Sequence, residues 1–165
     1  MYTKNTLTMN SLPKKTGKPV ITSIILADDD EDDRYIFNQI VQEVNEKVKL
    51  EFVSNGIQLI SLLQNFYPDL LFLDLDMPYK NGLECLIEIR SNPRLKDLQV
   101  IVFSSTTRQA NIQTAYEMGA HLFLIKSSDI KEYTLAIKSI LALNWDEPNK
   151  VKDQYSVNGR YTAFG

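Results

Sequence analysis

The sequence predicts a doubly wound α/β domain in which a five-stranded parallel sheet is covered by helices on both faces. Five short apolar runs alternate with amphipathic segments along the middle of the chain. The runs are almost continuously apolar, which is typical of parallel strands buried on both faces. Parallel neighbours must be joined by crossovers, so regular alternation with helical segments indicates this fold class.

The predicted strands are the apolar runs themselves. In chain order they are 20–27 (VITSIILA), 48–53 (VKLEFV), 69–75 (DLLFLDL), 98–103 (LQVIVF) and 121–126 (HLFLIK). The segments RYIFNQIVQEV, GIQLISLLQNF and GLECLIEIR repeat apolar residues every three or four positions. That spacing forms one apolar stripe on a helix and predicts the first three helices.

Capping residues predict the ends of the last two helices. In the fourth, Thr106 is a candidate N-cap and Gly119 a candidate stop. In the fifth, Asp129 can cap the first turn while Glu132 reaches back to it. The acidic residues 31–33 are interpreted only as the first turn of the first helix, where carboxylates favour the helix dipole.

The 165-residue chain is predicted to contain one domain, at residues 20–145. Residues 1–19 are polar and contain two prolines, so they are expected to form a disordered leader. Hydrophobic periodicity is lost after Trp145, so residues 146–165 are expected to form a flexible C-terminal tail.

Composition limits the possible partners and compartments. The net charge is −3 without a basic stripe, which argues against direct nucleic-acid binding. Cys85 is the one cysteine, so an internal disulfide is excluded and a cytoplasmic location is expected. No apolar run approaches the roughly 18 residues of a membrane span, so membrane insertion is not expected.

Polar residues follow the predicted strands at the sheet edge where doubly wound proteins bind ligands. They are Asp28, Asp29, Asp74, Asp76, Ser104, Ser105 and Lys126. Clustered carboxylates suit a hard divalent cation, of which Mg²⁺ is the expected one. An ammonium and a hydroxyl group suit the oxygens of a phosphoryl group. Asp74 ends the most apolar run and is the best-placed nucleophile for forming an aspartyl-phosphate.

In these motifs the chain resembles the receiver domain of two-component response regulators, a family with the flavodoxin-like fold of CheY. The resemblance covers about residues 20–143. The residues that carry it are the acidic pair after the first strand and the segments LDLDMPYKNG, VIVFSS and GAHLFLIK.

The resemblance implies a role for each residue of the set. Asp74 would be the phosphoacceptor, and Asp28, Asp29, Asp74 and the backbone carbonyl of Asp76 would hold Mg²⁺. The residues implied for phosphoryl binding and switching are Ser104, Lys126 and Phe123. The residues implied to tune phosphoryl lifetime are Asp76 and Thr106.

The implied function is signalling by phosphorylation. A sensor histidine kinase or phosphotransfer protein would donate the phosphoryl group from a phosphohistidine. A downstream protein would then bind the face formed by the fourth helix and fifth strand. Since no output domain is expected, the chain would signal through protein–protein contacts, with no enzymatic activity beyond its own phosphorylation and dephosphorylation.

Two positions depart from the family pattern. Ser127 stands where the family usually has proline after the lysine, and a cis bond costs serine about 2.5–4 kcal/mol against about 0.5–1 for proline. A trans or more mobile loop is therefore expected there. Phe123 replaces the commoner tyrosine and lacks its hydroxyl group.

Two other functions remain open. A receiver that docks partners without being phosphorylated would have the same fold. FLDLDMP also resembles the DxDx(T/V) motif of haloacid dehalogenase-type phosphatases. Against that reading, Pro78 stands where that motif has threonine or valine, and the acidic pair precedes the candidate nucleophile instead of following it.

Overall fold

The computed structural model describes residues 20–165, so the leader predicted at 1–19 lies outside the described residues. Five strands form the main sheet: β1 Ser23–Ala27, β2 Lys49–Val53, β3 Leu70–Leu73, β4 Val100–Ser104 and β5 Leu122–Ile125. Each corresponds to one predicted apolar run. Most observed strands are shorter than the runs. Asp69 and Asp74, for example, flank β3, although their amides still donate hydrogen bonds to the Ser23 and Ala27 carbonyls of β1.

The sheet has the order β2-β1-β3-β4-β5. All neighbouring strands are parallel, with Ile24 opposite Leu70 where β1 meets β3. The predicted doubly wound fold class is therefore confirmed. The strand order reverses between β1 and β3, and this reversal opens a crevice at their carboxyl ends.

Five helices cover the sheet: α1 Glu31–Val44, α2 Gly56–Leu63, α3 Gly82–Ser91, α4 Gln109–Glu117 and α5 Ile130–Leu141. Leu59, Cys85 and Tyr116 belong to the core on one face, whereas Phe37 and Ile137 belong to the core on the other. Cys85 is buried in this core. None of the helices between residues 20 and 165 has both the length and the hydropathy of a membrane span.

The predicted N-cap of α5 is confirmed, and so is Gly119 as the stop of α4, where it follows the last turn with a φ of 104°; the predicted N-cap of α4 is wrong. Asp129 caps α5 by accepting hydrogen bonds from the backbone amides of Lys131 and Glu132. The Glu132 carboxylate accepts a hydrogen bond from Ser127 Oγ (3.1 Å) rather than reaching back to the cap. Helix α4 has Arg108 at its N-cap without a side-chain hydrogen bond, because the Thr106 hydroxyl lies two positions earlier and accepts from the Arg108 amide.

The structure differs from the sequence prediction at residues 146–165, here called the C-terminal segment. Instead of a flexible tail, it forms helix α6 (Pro148–Asp153) and an antiparallel pair of short strands, β6 (Ser156–Val157) and β7 (Arg160–Tyr161). Val151 is buried, and the rings of Tyr155 and Phe164 lie 5.4 Å apart on the α5 side. These buried apolar side chains are irregularly spaced along the chain, so they produce no periodic hydrophobic pattern in the sequence.

The N-terminus of α3 packs directly on the loop that follows β3. The Gly82 amide donates a hydrogen bond to the Leu75 carbonyl (3.0 Å). A Cβ atom at position 82 would lie 2.1 Å from the Asp74 carbonyl oxygen, which is backbone and cannot easily move aside. A side chain at this position is therefore incompatible with the observed placement of Asp74.

We predict that Gly82→Ala lowers the free energy of unfolding by about 1–3 kcal/mol, because the added methyl group overpacks the β3–α3 junction. Urea denaturation followed by circular dichroism measures the change. The control is Ser91→Ala at the exposed far end of α3, which should change stability by less than about 0.5 kcal/mol. Equal effects of the two substitutions would contradict the prediction.

Candidate functional site

The side chain of Lys126, directly after β5, lies among three carboxylates at the carboxyl edge of the sheet. Its Nζ atom is 2.8 Å from Asp28 Oδ2, 2.7 Å from Asp33 Oδ2 and 3.1 Å from Asp74 Oδ2. The same Nζ lies 5.0 Å from the centroid of the Phe103 ring, within the range of a cation–π interaction. Residues following β1, β3 and β5 are thus brought together with the first turn of α1.

Burial and charge change the acid–base properties of this cluster. Burial raises the pKa of Asp74 to about 6, and the nearby Asp28 adds to this while the Lys126 charge opposes it. Burial likewise raises the pKa of Asp28, despite its contact with Lys126. For Lys126, burial acts to lower the pKa, but the contacts with Asp28 and Asp33 outweigh it and raise the pKa above its ordinary value. Lys126 therefore stays charged at neutral pH.

Three carboxylates are close enough together to hold a metal ion. Oxygen atoms of Asp28, Asp29 and Asp74 lie within 4.8 Å of one another, with Asp28 and Asp74 buried and Asp29 exposed. Asp28 is oriented by its Oδ1 atom, which accepts a hydrogen bond from the Asp30 amide (3.0 Å). One ammonium group does not neutralise this many carboxylates, and hard oxygen ligands suit a divalent cation. The residues therefore fit a metal ion.

The other predicted site residues lie on the loops around the cluster. Asp76 is exposed, and its backbone amide donates a hydrogen bond to Asp74 Oδ1 (3.3 Å). The metal-binding role of its carbonyl stays a prediction. Ser104 is fully buried at the end of β4, and its Oγ accepts a hydrogen bond from the Thr106 amide (3.3 Å). The Ser104 hydroxyl hydrogen remains available to another acceptor.

The last two predicted residues are Phe123, within β5, and Lys126, directly after it. Phe123 is fully buried, and its amide donates a hydrogen bond to the Tyr116 hydroxyl (3.1 Å). The backbone amide of Lys126 donates to the Ser104 carbonyl (2.9 Å), so the ends of β4 and β5 are joined at the site. Every peptide bond in residues 20–165 is trans, including the one before Ser127.

Two contacts of Lys126, with Asp33 and with Phe103, were not predicted from the sequence. Asp33 was interpreted only as part of a helix start, yet its carboxylate binds Lys126. Asp30 is the residue that caps α1, accepting hydrogen bonds from the Asp32 and Asp33 amides. The six consecutive acidic residues Asp28 to Asp33 offer no signal that separates Asp33, as a partner of Lys126, from the residues that only begin the helix. Nothing in the sequence predicts that the Phe103 ring lies next to the Lys126 ammonium.

His121 is a packing residue. It is buried, and its Nδ1 atom accepts a hydrogen bond from the Val100 amide (3.1 Å). Burial, together with the nearby charges of Arg90 and Lys152, lowers the pKa of the imidazole to about 3. The ring is therefore neutral at physiological pH and lies at the start of β5, away from the carboxylate cluster.

Sequence comparison decides the family. The family profile described as response regulator receiver domain matches residues 24–138. This chain belongs to that family. The response regulator Rcp1 of Synechocystis sp. is 27% identical to this receiver domain over 124 residues, which cover 71% of this chain and 84% of Rcp1. The predicted resemblance is thereby confirmed.

Solved structures agree with this assignment. The phosphorylated cyanobacterial phytochrome response regulator RcpA superposes with a TM-score of 0.68 and 26% identity, covering 73% of this chain and 91% of RcpA. The Mn²⁺-bound form of Rcp1 gives a TM-score of 0.63 and 28% identity, covering 72% of this chain and 91% of Rcp1. As a family, receiver domains bind a divalent metal ion at an acidic pocket and interact with histidine kinases and downstream targets.

We predict that Asp74→Asn raises the free energy of unfolding by about 1–3 kcal/mol at pH 7.5 in metal-free buffer. The raised pKa of about 6 means that the fold disfavours the charged carboxylate. This destabilisation is absent below about pH 4, where the carboxyl is protonated in both states, and develops as the pH rises to about 6. The stability difference between variant and wild type should grow over the same interval.

Chemical denaturation at several pH values, with EDTA present, measures this difference. Asp76→Asn serves as the control because that carboxylate is exposed in the same loop. Its effect should stay below about 0.5 kcal/mol at every pH. If Asp74→Asn is neutral or destabilising at pH 7.5, the proposed cost of ionising Asp74 is incorrect.

Proposed function

We propose that this receiver domain accepts a phosphoryl group on Asp74 from the phosphohistidine of a sensor histidine kinase or phosphotransfer protein, with Mg²⁺ as cofactor. The phosphorylated domain then acts by binding a downstream protein. The observation that supports this most strongly is the position of the buried Asp74 carboxylate, 3.1 Å from the Lys126 ammonium and grouped with Asp28 and Asp29.

The transfer is a displacement at phosphorus. An oxygen of the Asp74 carboxylate forms the new P–O bond, while the P–N bond to the donor histidine breaks and its imidazole leaves with the electron pair. Lys126 offers a fixed positive charge to the phosphoryl oxygens, and the Ser104 hydroxyl offers a hydrogen-bond donor. Both groups favour the spread of negative charge that develops on the transferring group.

Asp28 and Asp29 would hold the metal ion together with Asp74 and the backbone carbonyl of Asp76. When bound, Mg²⁺ supplies positive charge that neutralises phosphoryl oxygens. A hard cation also reduces the mutual repulsion of the buried carboxylates. Asp76 and Thr106 flank the acceptor and are proposed to tune the lifetime of the phosphoryl group.

Phosphorylation changes the charge that surrounds Lys126 and Ser104. In the structure, Lys126 is held by three carboxylates. The added phosphate offers new acceptor oxygens and is proposed to draw Lys126 and Ser104 towards it. Because the Lys126 amide is bonded to the Ser104 carbonyl, the ends of β4 and β5 would shift together. This shift would alter the face formed by α4 and β5, to which the downstream partner binds.

We predict that acetyl phosphate or phosphoramidate with Mg²⁺ adds one phosphoryl group to the wild-type chain, measured by intact mass spectrometry. Asp74→Asn retains the shape of the side chain but lacks the nucleophile, so its labelling should fall to background. EDTA should abolish labelling of the wild type. Asp97→Asn, an exposed carboxylate at the opposite end of β4, is the matched control and should be labelled normally.

Labelling that persists in Asp74→Asn would assign the phosphoacceptor to another residue. A wild-type chain that binds Mg²⁺ but takes no label from either donor would favour a receiver that docks partners without phosphorylation. Steady release of inorganic phosphate from unrelated phosphomonoesters would instead favour the phosphatase alternative.

A further inference from the structure

The C-terminal segment covers the face that the proposed function assigns to a downstream partner. Its Tyr161 ring stacks on the ring of Tyr116 from α4, with centroids 4.5 Å apart and planes inclined by 13°. The Tyr161 amide donates a hydrogen bond to Gln113 Oε1 (3.0 Å), and Gln109 Nε2 donates to the Tyr161 carbonyl (2.6 Å). The segment is therefore bound to α4 through both a side chain and the backbone.

The same segment also pairs with the open edge of the sheet. Strand β5 lies at that edge, with β4 on its other side. The Phe164 amide donates a hydrogen bond to the Phe123 carbonyl (2.7 Å), and Phe164 forms a parallel bridge with Leu124. An edge strand offers unpaired backbone groups that an extended peptide can bind. Residues of this chain already occupy part of that edge.

The contacts of the segment are connected to the phosphoacceptor site through β5. The Tyr116 hydroxyl accepts a hydrogen bond from the Phe123 amide and donates one to the Thr162 carbonyl (3.1 Å). Lys126 follows Phe123 by three residues on the same chain segment. A displacement of the β5 end towards a phosphoryl group would therefore misalign the bond to Phe164 and the stack on Tyr116.

We propose that residues 160–164 act as an intramolecular cap on the α4–β5 face, and that phosphorylation of Asp74 weakens this cap. This inference rests on the proposed function. It identifies the partner's chemistry: an extended protein segment that pairs with the β5 edge in place of Phe164 and stacks an aromatic ring on Tyr116. The family match ends at residue 138, so the cap lies outside the part of the chain that the family profile covers.

The cap is suited to displacement because few interactions hold it. Ordering five residues costs backbone entropy comparable in size to the return from a handful of hydrogen bonds and one aromatic stack. A groove of about 880 Å³ beside it is lined by Leu124, Leu135, Tyr155 and Phe164 among others. An apolar side chain of a partner could enter this groove beside Phe164 while its backbone takes the place of Phe164 on the β5 edge.

The coupling between the cap and the phosphoacceptor site must act in both directions with the same strength. If phosphorylation weakens the cap by some factor, weakening the cap must increase the affinity for a phosphoryl analogue by the same factor. Tyr161→Ala removes the stack on Tyr116 without touching the phosphoacceptor site. We expect it to tighten binding of beryllofluoride with Mg²⁺ by about fivefold or more, the usual range for coupled sites.

Hydrogen exchange followed by NMR tests the coupling in the full chain, with and without beryllofluoride and Mg²⁺. The reporters are the amides of Tyr161, Thr162 and Phe164, each of which donates a hydrogen bond in the structure. We expect the analogue to slow exchange around Asp74 and to speed exchange at these three amides about fivefold or more. Slowed exchange at Asp74 with unchanged or slower exchange at the three amides would overturn the cap and leave the proposed function intact. No response at Asp74 would count against both.

Matched variants separate the cap from general loosening. Tyr35→Ala replaces a tyrosine that is 66% exposed on α1 and should change neither exchange at residues 160–164 nor affinity for beryllofluoride. Tyr161→Ala should speed that exchange without the analogue while β1 and β3 amides remain protected. If Tyr161→Ala and Tyr35→Ala bind beryllofluoride equally well, the coupling is overturned. If Tyr161→Ala folds poorly, the exchange data on the wild-type chain still test the cap.

Protein concentration distinguishes a cap within one chain from an exchange between two copies. Exchange rates at residues 160–164 should be the same at low and high protein concentration. Rates that fall as concentration rises, together with a concentration-dependent mass in sedimentation, would assign the segment to a second copy and overturn the intramolecular cap.

Discussion

The contact of the Lys126 ammonium with three carboxylates is the interaction on which the site depends. Asp28 and Asp74 are both buried, and two neighbouring carboxylates without a counter-charge would be costly to ionise. Lys126, directly after β5, supplies that charge. In the sheet, β4 lies between β5 and β3, and both β3 and β4 lie between β5 and β1. The ion cluster therefore ties the end of β5 to the ends of β1 and β3, with which β5 shares no backbone hydrogen bonds.

The same cluster explains why the site can respond to a ligand. Its carboxylates outnumber its ammonium group, so a divalent cation or a charge rearrangement at Asp74 changes the balance around Lys126. The backbone of Lys126 is bonded to Ser104, and β5 continues back to Phe123 and its contacts with Tyr116. A local change in electrostatics at the sheet edge thus has a short physical path to α4 and to the C-terminal segment.

The sheet and most of the site were predictable because their signals are local and strong. Buried parallel strands require continuous apolar runs, and polar residues directly after such runs must gather at one edge. The N-cap of α4 was predicted wrongly at Thr106 because the helix begins at Gln109, and the residue before it, Arg108, makes no capping side-chain hydrogen bond that a sequence pattern could indicate. The role of Asp33 was missed because a row of acidic residues contains no signal that separates helix start from ion pair. The prediction of a flexible tail at residues 146–165 was incorrect. The contacts of this segment are made by single, irregularly spaced residues such as Val151, Tyr161 and Phe164, which leave no periodic pattern in the sequence.

The amino-acid sequence by itself determined the fold class, the family and the sheet edge at which Asp28, Asp29, Asp74, Ser104 and Lys126 converge. These follow from hydrophobic pattern and residue order, which are properties of short segments. Only the tertiary structure decided that Asp33 and Phe103 also contact Lys126, and that the C-terminal segment lies on α4 and β5. Those contacts join residues 23 to 93 positions apart in the chain and depend on the relative placement of whole elements, so no local pattern records them.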